Sequence, residues 1–204
     1  MPEGGCCRCC TGFIFTSGLT ALFLWLSLRP DSPTLSIEDF YLPALNKTLN
    51  DTSNTTISFD FKLNNPNKDK GIYYNALNLT IYYSHNFSLL PVANYTIPRF
   101  YQGFKKKAHR KQTVPTVGLP LDDAIREDLK VFRVDVKTAV RYKIIFWKTK
   151  HHSIKVGSNL TVNDMGALVK KKKKGVKLKS SCDSVQVSYC AHVCLLMGFV
   201  LLLL

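Results

Sequence analysis

Between residues 11 and 181 the chain has no cysteine, although it has seven in 204 residues. Cys6, Cys7, Cys9 and Cys10 stand at the start and Cys182, Cys190 and Cys194 near the end. That gap excludes disulfide staples from the middle, which must be held by an ordinary hydrophobic core. Acid is scarce as well: 14 Asp and Glu stand against 28 Lys and Arg, a net charge of +14. A balance this basic points to an acidic partner, whether nucleic acid, an anionic membrane surface or an acidic polymer. Catalytic signatures are missing. There is no G-x-S-x-G, P-loop or G-x-G-x-x-G. His85, His109, His151, His152 and His192 do not pair with cysteines or acids at metal-ligand spacing. Asp122 and Asp123 stand at a helix start, where capping is their expected role, and His151-His152 reads as a solvated turn. The expectation is a non-enzymatic protein without cofactor or metal.

Charge is also absent from TGFIFTSGLTALFLWLSL, residues 11–28, which Arg8 and Arg29 bracket. At 1.5 Å per residue this run spans about 27 Å, close to a bilayer's hydrocarbon core. A cleaved signal peptide would have a shorter apolar region and a small-x-small exit. The exit here is WLSLRPDSPT, so an uncleaved signal-anchor is expected. The far end, VCLLMGFVLLLL (193–204), is short for a span. It follows a polar spacer and the small cluster Ser180-Ser181-Cys182, the pattern of a glycosylphosphatidylinositol signal. Ser180 and Ser181 are near-equal attachment candidates.

N-x-S/T triplets decide which side faces out. They occur at Asn46, Asn50, Asn54, Asn78, Asn86, Asn94 and Asn159, all between the two apolar runs. Seven sequons in that region point to a domain that passes through the secretory lumen. Outside the cell the basic runs KKKAHRK (105–111) and KKKKK (170–174) meet no nucleic acid. They read as solvated loops, or as contacts for an acidic extracellular polymer or lipid headgroups.

Within the middle, apolar residues alternate. TISFDFKLN (56–64) puts Ile57, Phe59, Phe61 and Leu63 on one face. Leu77, Leu79, Ile81 and Tyr83 repeat the pattern, and from 132 to 146 the even positions read Phe, Val, Val, Thr, Val, Tyr, Ile, Phe. Ile154, Val156, Leu160 and Val162 continue it. A period of two marks half-buried strands. Turns are expected at NNPNKDKG (64–71), LLPVAN (89–94) and PTVGLP (115–120). Fifteen alternating residues are long for one strand, so a bend or bulge is expected near 137–139. DDAIREDLK (122–130) is the internal helix candidate. The predicted fold is all-β: an antiparallel sandwich with one short helix, preceded by a transmembrane helix and followed by a cleavable hydrophobic tail. The expected organisation is a cytosolic stub at 1–10, the signal-anchor at 11–28, a glycosylated linker at 29–54, the sandwich at 55–165, a basic stalk at 166–181 and the anchor signal at 182–204.

Several longer motifs carry a resemblance. They are SGLTALFLWLSLR (17–29), NPNKDKGIYY (65–74), NYTIPRFYQG (94–103) with the basic run after it, and YKIIFWKTK (142–150). With the cysteine-rich start and greasy tail, they make the chain similar to the plant harpin-induced-like proteins, whose ectodomain is a late-embryogenesis-abundant, group-two type sandwich. The resemblance covers nearly the whole chain. It implies a plasma-membrane protein of plant immune signalling against bacteria, including hypersensitive cell death, in contact with the cell wall. The implied partners are immune regulators at the cytosolic face, the wall or an acidic polymer, and membrane lipids, with a homo-oligomer left open. Elsewhere the superfamily suggests a second function, a stress-protective or lipid-handling sandwich. An Asn-Gly-Asp adhesion tripeptide expected in this family region is replaced by Asn163-Asp164-Met165-Gly166.

Asn65, Pro66, Asn67, Gly71, Tyr73 and Tyr74 of the NPN motif read either as fold determinants or as a partner surface. Pro fixes φ in a turn, Gly71 accepts positive φ, and the two tyrosines point to opposite faces. For Cys6, Cys7, Cys9 and Cys10, a cytosolic position argues against disulfides. Five consecutive residues supply tetrahedral zinc ligation poorly. Cysteines directly against a membrane helix are S-palmitoylation candidates, the alternative being unmodified thiols.

Overall fold

The computed structural model describes residues 5–48, 53–85, 88–126, 130–170 and 175–180, with the side chains of 5–10 and 27 excepted. Asn50, Asn86, Ser181, the 182–204 tail and the cysteine side chains lie outside the described residues. The order is α1 (Gly5–Leu28), β1 (Thr34–Asn46), β2 (Thr56–Asn64), β3 (Lys70–Tyr74), β4 (Leu77–His85), β5 (Ser88–Ile97), β6 (Phe100–Gln102), β7 (Lys107–Pro115), α2 (Leu121–Arg126), β8 (Lys130–Ile144), β9 (Trp147–Lys148), β10 (His152–Val162), β11 (Met165–Ala167), β12 (Val176–Lys177) and β13 (Lys179–Ser180). All strand pairings are antiparallel.

Two sheets form. The first runs β11-β1-β2-β7 with β12 also on β1; the second runs β13-β10-β8-β3-β6, with β4 joining β5 to β8 and β9 turning back on β8. The alternating faces of β2 and β8 fill the space between them. Phe59, Phe61, Phe132, Val134, Val136 and Val140 are buried there with Phe40 of β1. Phe40 and Phe132 touch across the core, ring centroids 5.2 Å apart. This is the predicted antiparallel all-β architecture.

Several elements differ from the sequence reading, each for a physical reason. Residues 34–46, expected inside a linker, form β1 between β2 and β11. Its burial does not alternate cleanly, because the register shifts between Ile37 and Asp39 and leaves Glu38 as an extra residue. Ser36 Oγ and Lys62 Nζ hold Glu38 Oε1 at 3.0 and 3.1 Å. Partial burial works to raise the Glu38 pKa, but the Lys62 and Ser36 hydrogen bonds, with the nearby cationic charge of Lys62 and His109, outweigh it and hold the carboxyl below its ordinary range. LLPVAN is not a turn but part of β5; the ladder skips Val92 between Ala93 and Pro91, a bulge that accommodates a proline within the strand. β8 has no register shift against β10. Instead its other edge changes partner, from β4 at 132–137 to β3 at 140–144. Of the helix candidate, 122–126 lie in α2 (Leu121–Arg126), 127–129 lie outside the described residues, and Lys130 already belongs to β8. KAHRKQTVP is the edge strand β7 rather than a loop, and its charges discourage pairing with another chain's edge.

The stretch read as a stalk also contributes to the sandwich. β12 pairs with β1, Leu178 is buried with its N–H bonded to Leu35 O, and β13 pairs with β10. Taken over the described side chains, no helix is long and apolar enough to cross a membrane. In α1 those side chains cover residues 11–26, fewer than the roughly 20 a span takes; Phe13, Ile14, Phe15, Phe23, Leu24, Trp25 and Leu26 are all exposed.

Candidate functional site

The chain leaves α1 at Arg29 and is tied to the sandwich almost at once. Leu28 packs on the core. Asp31 N donates to Asn67 Oδ1 at 2.8 Å, and Asn67 Nδ2 donates to Asp31 O at 2.9 Å. Asn67 is itself held by Asn65, whose Oδ1 accepts from Asn67 N (3.0 Å) and Nδ2 (2.9 Å). Asn65 Nδ2 reaches the carbonyls of Lys70 (2.8 Å) and Gly103 (3.0 Å), which bridges the turn after β2 to the loop after β6. Lys105 N completes the link by donating to Asn67 O at 2.9 Å. Tyr142 at the same end hydrogen-bonds Ser32; burial, the larger influence, and the Asp31 charge push its pKa up.

The NPN motif is therefore mostly interior. Asn65, Asn67 and Tyr74 are buried, whereas Pro66 is exposed and Tyr73 half-buried. Tyr74 donates to Gln102 Oε1 at 2.9 Å, and burial raises its pKa above the ordinary phenol value. Gly71 does not use positive φ; it lies in β3, where a Cβ would run into the Tyr101 ring. The glycine is needed for that close approach. The Tyr101 ring packs against Tyr73, tilted by 42° with centroids 4.6 Å apart, and Lys148 Nζ sits 4.4 Å from the Tyr73 centroid.

Beyond this hub the α1 end carries two apolar tips. The β8–β9 hairpin pairs Ile144 with Trp147 and leaves Ile145 and Phe146 as its loop. Phe146 is 95% exposed, so it does not continue the inward face of β8 as its even position suggested. The second tip is Phe104, in the loop held by Asn65 and Asn67. The sequence signal for the first was present: IIFW between two lysines cannot obey a period of two.

The outer face of the second sheet has two adjoining open depressions, of about 580 and 360 Å³. Arg99, Lys137 and Ser153 line the first; Arg133, Lys137 and Lys155 line the second. Arg133 Nε is engaged by Asp135 at 2.9 Å. Neither depression is an apolar slot. Asn78 lies on the rim of the first.

The described sequons are spread over the rest of the domain. Asn54, Asn78, Asn94 and Asn159 are exposed, but Asn46 is half-buried and its Oδ1 accepts from Thr48 N and Oγ1. Asn46 and Asn54 lie at the end opposite α1, near Met165 and Pro115 in the ladders. Ser180 is the last described residue, in β13, which runs toward the α1 end. The Asn163–Gly166 segment is a tight turn. Asn163 Oδ1 accepts from Met165 N and Ala167 N, and Gly166 has φ of +71°. Asp164 bridges Lys130 Nζ (2.7 Å) and Lys47 Nζ (3.1 Å), and these hydrogen bonds, with the lysine charges, hold its pKa below the usual carboxylate value. That carboxylate is already engaged within the fold.

The molecule is thus a two-sheet antiparallel sandwich whose N-terminal helix is tied in just past its end, through Asp31, to the Asn65–Asn67 hub. No family model matches it. It is 50% identical over 197 residues to Protein NDR1 of Arabidopsis thaliana, covering 89% of this chain and 86% of the relative. It is 29% identical over 144 residues to NDR1/HIN1-like protein 3 of the same plant, covering 63% and 58%, and 33% identical over 94 residues to NDR1/HIN1-like protein 1, covering 45% and 44%. The chain belongs to the NDR1/HIN1-like family of disease-resistance proteins, as its motifs led one to expect.

Proposed function

We propose that this chain is a non-enzymatic component of plant immune signalling, carried at the plasma membrane with its sandwich outside the cell. The observation that carries the immune role is the 50% identity with Protein NDR1 over most of both chains. In this reading α1 crosses the membrane. The support is its 24-residue length, about 36 Å, and the lack of charge from 11 to 28. Its hydroxyls are also satisfied internally: Thr16 Oγ1 donates to Gly12 O at 2.9 Å and Thr20 Oγ1 to Thr16 O at 2.7 Å. Hydrocarbon requires that satisfaction.

The glycosylphosphatidylinositol anchor at Ser180 or Ser181 is the second attachment, and the course of β13 toward the α1 end is compatible with one membrane receiving both. Palmitoylated Cys6, Cys7, Cys9 and Cys10 would hold the cytosolic stub against the inner leaflet, where immune regulators meet it. A glycan on exposed Asn54 would cover the far end, and those on Asn78 and Asn159 would border the outer face of the second sheet. Wall contact falls to the cationic depressions, where Arg99, Lys137 and Lys155 suit a carboxylate-bearing polymer. The lipid-handling alternative calls for an enclosed cavity, whereas both depressions are open and carry Arg99, Arg133, Lys137 and Lys155.

Expression of this chain in Arabidopsis lacking Protein NDR1 tests the reading. Restored pathogen-triggered cell death is expected; unchanged susceptibility with the protein present at the membrane contradicts it.

A further inference from the structure

We propose that the two apolar tips at the α1 end, Ile145-Phe146-Trp147 and Phe104, sit in the phospholipid headgroup layer of the membrane that α1 enters. The inference rests on the membrane-crossing reading of α1 and adds to it a fixed stance of the sandwich on the bilayer. Phe146, Ile145, Phe104 and Trp147 are 95%, 62%, 55% and 54% exposed. Their backbones are unusual too. Among the described residues, the non-glycine residues with positive φ are Lys105 (52°) and Ile145 (49°), and each adjoins one of the exposed phenylalanines. A β-branched residue in the left-handed region is strained. The positive φ closes the two-residue hairpin loop between Ile144 and Trp147, and both loop side chains are left exposed.

The location follows from the ladder and the polar hub. Trp147 pairs with Ile144 and Ile144 with Lys70. The Lys70 carbonyl is held by Asn65, Asn65 holds Asn67, and Asn67 holds Asp31, just past the end of α1. Phe104 lies on the loop bound to the same two asparagines. Charge fits as well. Lys143 and Lys148 stand directly opposite each other at the base of the hairpin, a like-charge cross-strand pair that costs stability. Lys105 and Lys106 flank Phe104, also exposed. Aromatic side chains rimmed by lysines suit the boundary where rings enter the acyl region and ammonium groups meet phosphate. The opposite end differs in kind. Among the described residues its exposed apolar side chains are Leu89, Leu90, Val117 and Met165, and Asn46 and Asn54 are there.

The two tryptophans allow a direct test, since Trp25 lies in α1 and Trp147 in the hairpin. The full chain is reconstituted in phosphatidylcholine–phosphatidylserine vesicles, once as Trp25→Phe to read the hairpin and once as Trp147→Phe to read α1. Brominated acyl chains and aqueous acrylamide serve as quenchers. Trp147 should be quenched most by bromines near the headgroup and be shielded from acrylamide. Phe146→Ser with Ile145→Ser should remove most of that quenching without unfolding the domain. If Trp25 is quenched by deep bromines while Trp147 stays open to acrylamide, the headgroup contact is wrong and the span stands. If Trp25 is not quenched, both readings fall. If Trp147 is equally shielded in lipid-free protein, the tip belongs to contact between copies and the proposal is overturned.

Discussion

Asn67 and Asp31 exchange two hydrogen bonds, Asp31 N to Oδ1 at 2.8 Å and Nδ2 to Asp31 O at 2.9 Å, across 36 residues of sequence. Through this pair the chain is fixed to the sandwich three residues after the end of α1. Asn67→Ala strands the Asp31 N–H and carbonyl and removes one of the two donors to Asn65 Oδ1, which keeps the Asn67 N–H. A loss of roughly 1–3 kcal/mol is expected, because unsatisfied polar groups carry a desolvation penalty. Hydrogen exchange should show the Asp31 amide losing protection while the β8 amides keep theirs. Uniform loss would mean that the clamp is not local.

The Lys47–Asp164–Lys130 arrangement makes stability depend on acid. Asp164 has its folded pKa lowered, first by the Lys130 hydrogen bond and then by that of Lys47. The stabilisation is therefore present above the unfolded-state value of 3.8 and is lost as pH falls through the lower folded value. Denaturation midpoints of the wild type should fall across that acid window, and Asp164→Asn should flatten the dependence. Asp164→Ala should lower the midpoint at neutral pH, because it removes one charged partner of a lysine whose side chain is fully buried.

Ile145→Gly should raise stability, by about 1 kcal/mol, since glycine adopts positive φ without the side-chain clash. Phe146→Ser should change the melting midpoint little, because a residue 95% exposed contributes no core packing. Thermal unfolding of both variants checks this. Marked destabilisation by Phe146→Ser would show that the ring packs in solution.

The sequons should not be equal. Asn54, Asn78, Asn94 and Asn159 are exposed in the folded domain, whereas Asn46 is half-buried and its Nδ2, the atom a glycan would occupy, donates to the Tyr41 hydroxyl at 3.4 Å. Single Asn→Gln variants should each speed migration for the exposed four and leave it unchanged for Asn46. A shift for Asn46 would show that glycan addition precedes closure of this end.

Lys137 lines both depressions of the outer sheet face. Lys137→Glu with Arg99→Glu should weaken retention on immobilised polygalacturonate, and salt should weaken the wild type in the same way. Equal retention would remove the wall-contact role from this face.

Much of the sandwich was legible because β2, β4 and β8 alternate with a strict period of two, and one buried face is what that period encodes. β1 was not, since the extra Glu38 breaks the alternation halfway along the strand. β12 and β13 were hidden by their brevity and lysine content; Leu178 alone between them goes inward. Pro91 made a strand look like a turn until the bulge at Val92 is seen. Of the interaction surface, the NPN motif was recognisable, but nothing local says that Asn67 points at Asp31. That contact is set by topology and not by neighbours in sequence.

The central claim is that the end of the sandwich joined to α1 faces the membrane. Lysine footprinting by mass spectrometry, with full-length protein in nanodiscs compared against detergent-solubilised protein, tests it most directly. The account predicts that Lys105, Lys106, Lys143 and Lys148 are protected in the nanodisc while Lys137 and Lys155 react equally in both. Equal reactivity at all six, or protection of Lys137 and Lys155 instead, would contradict it.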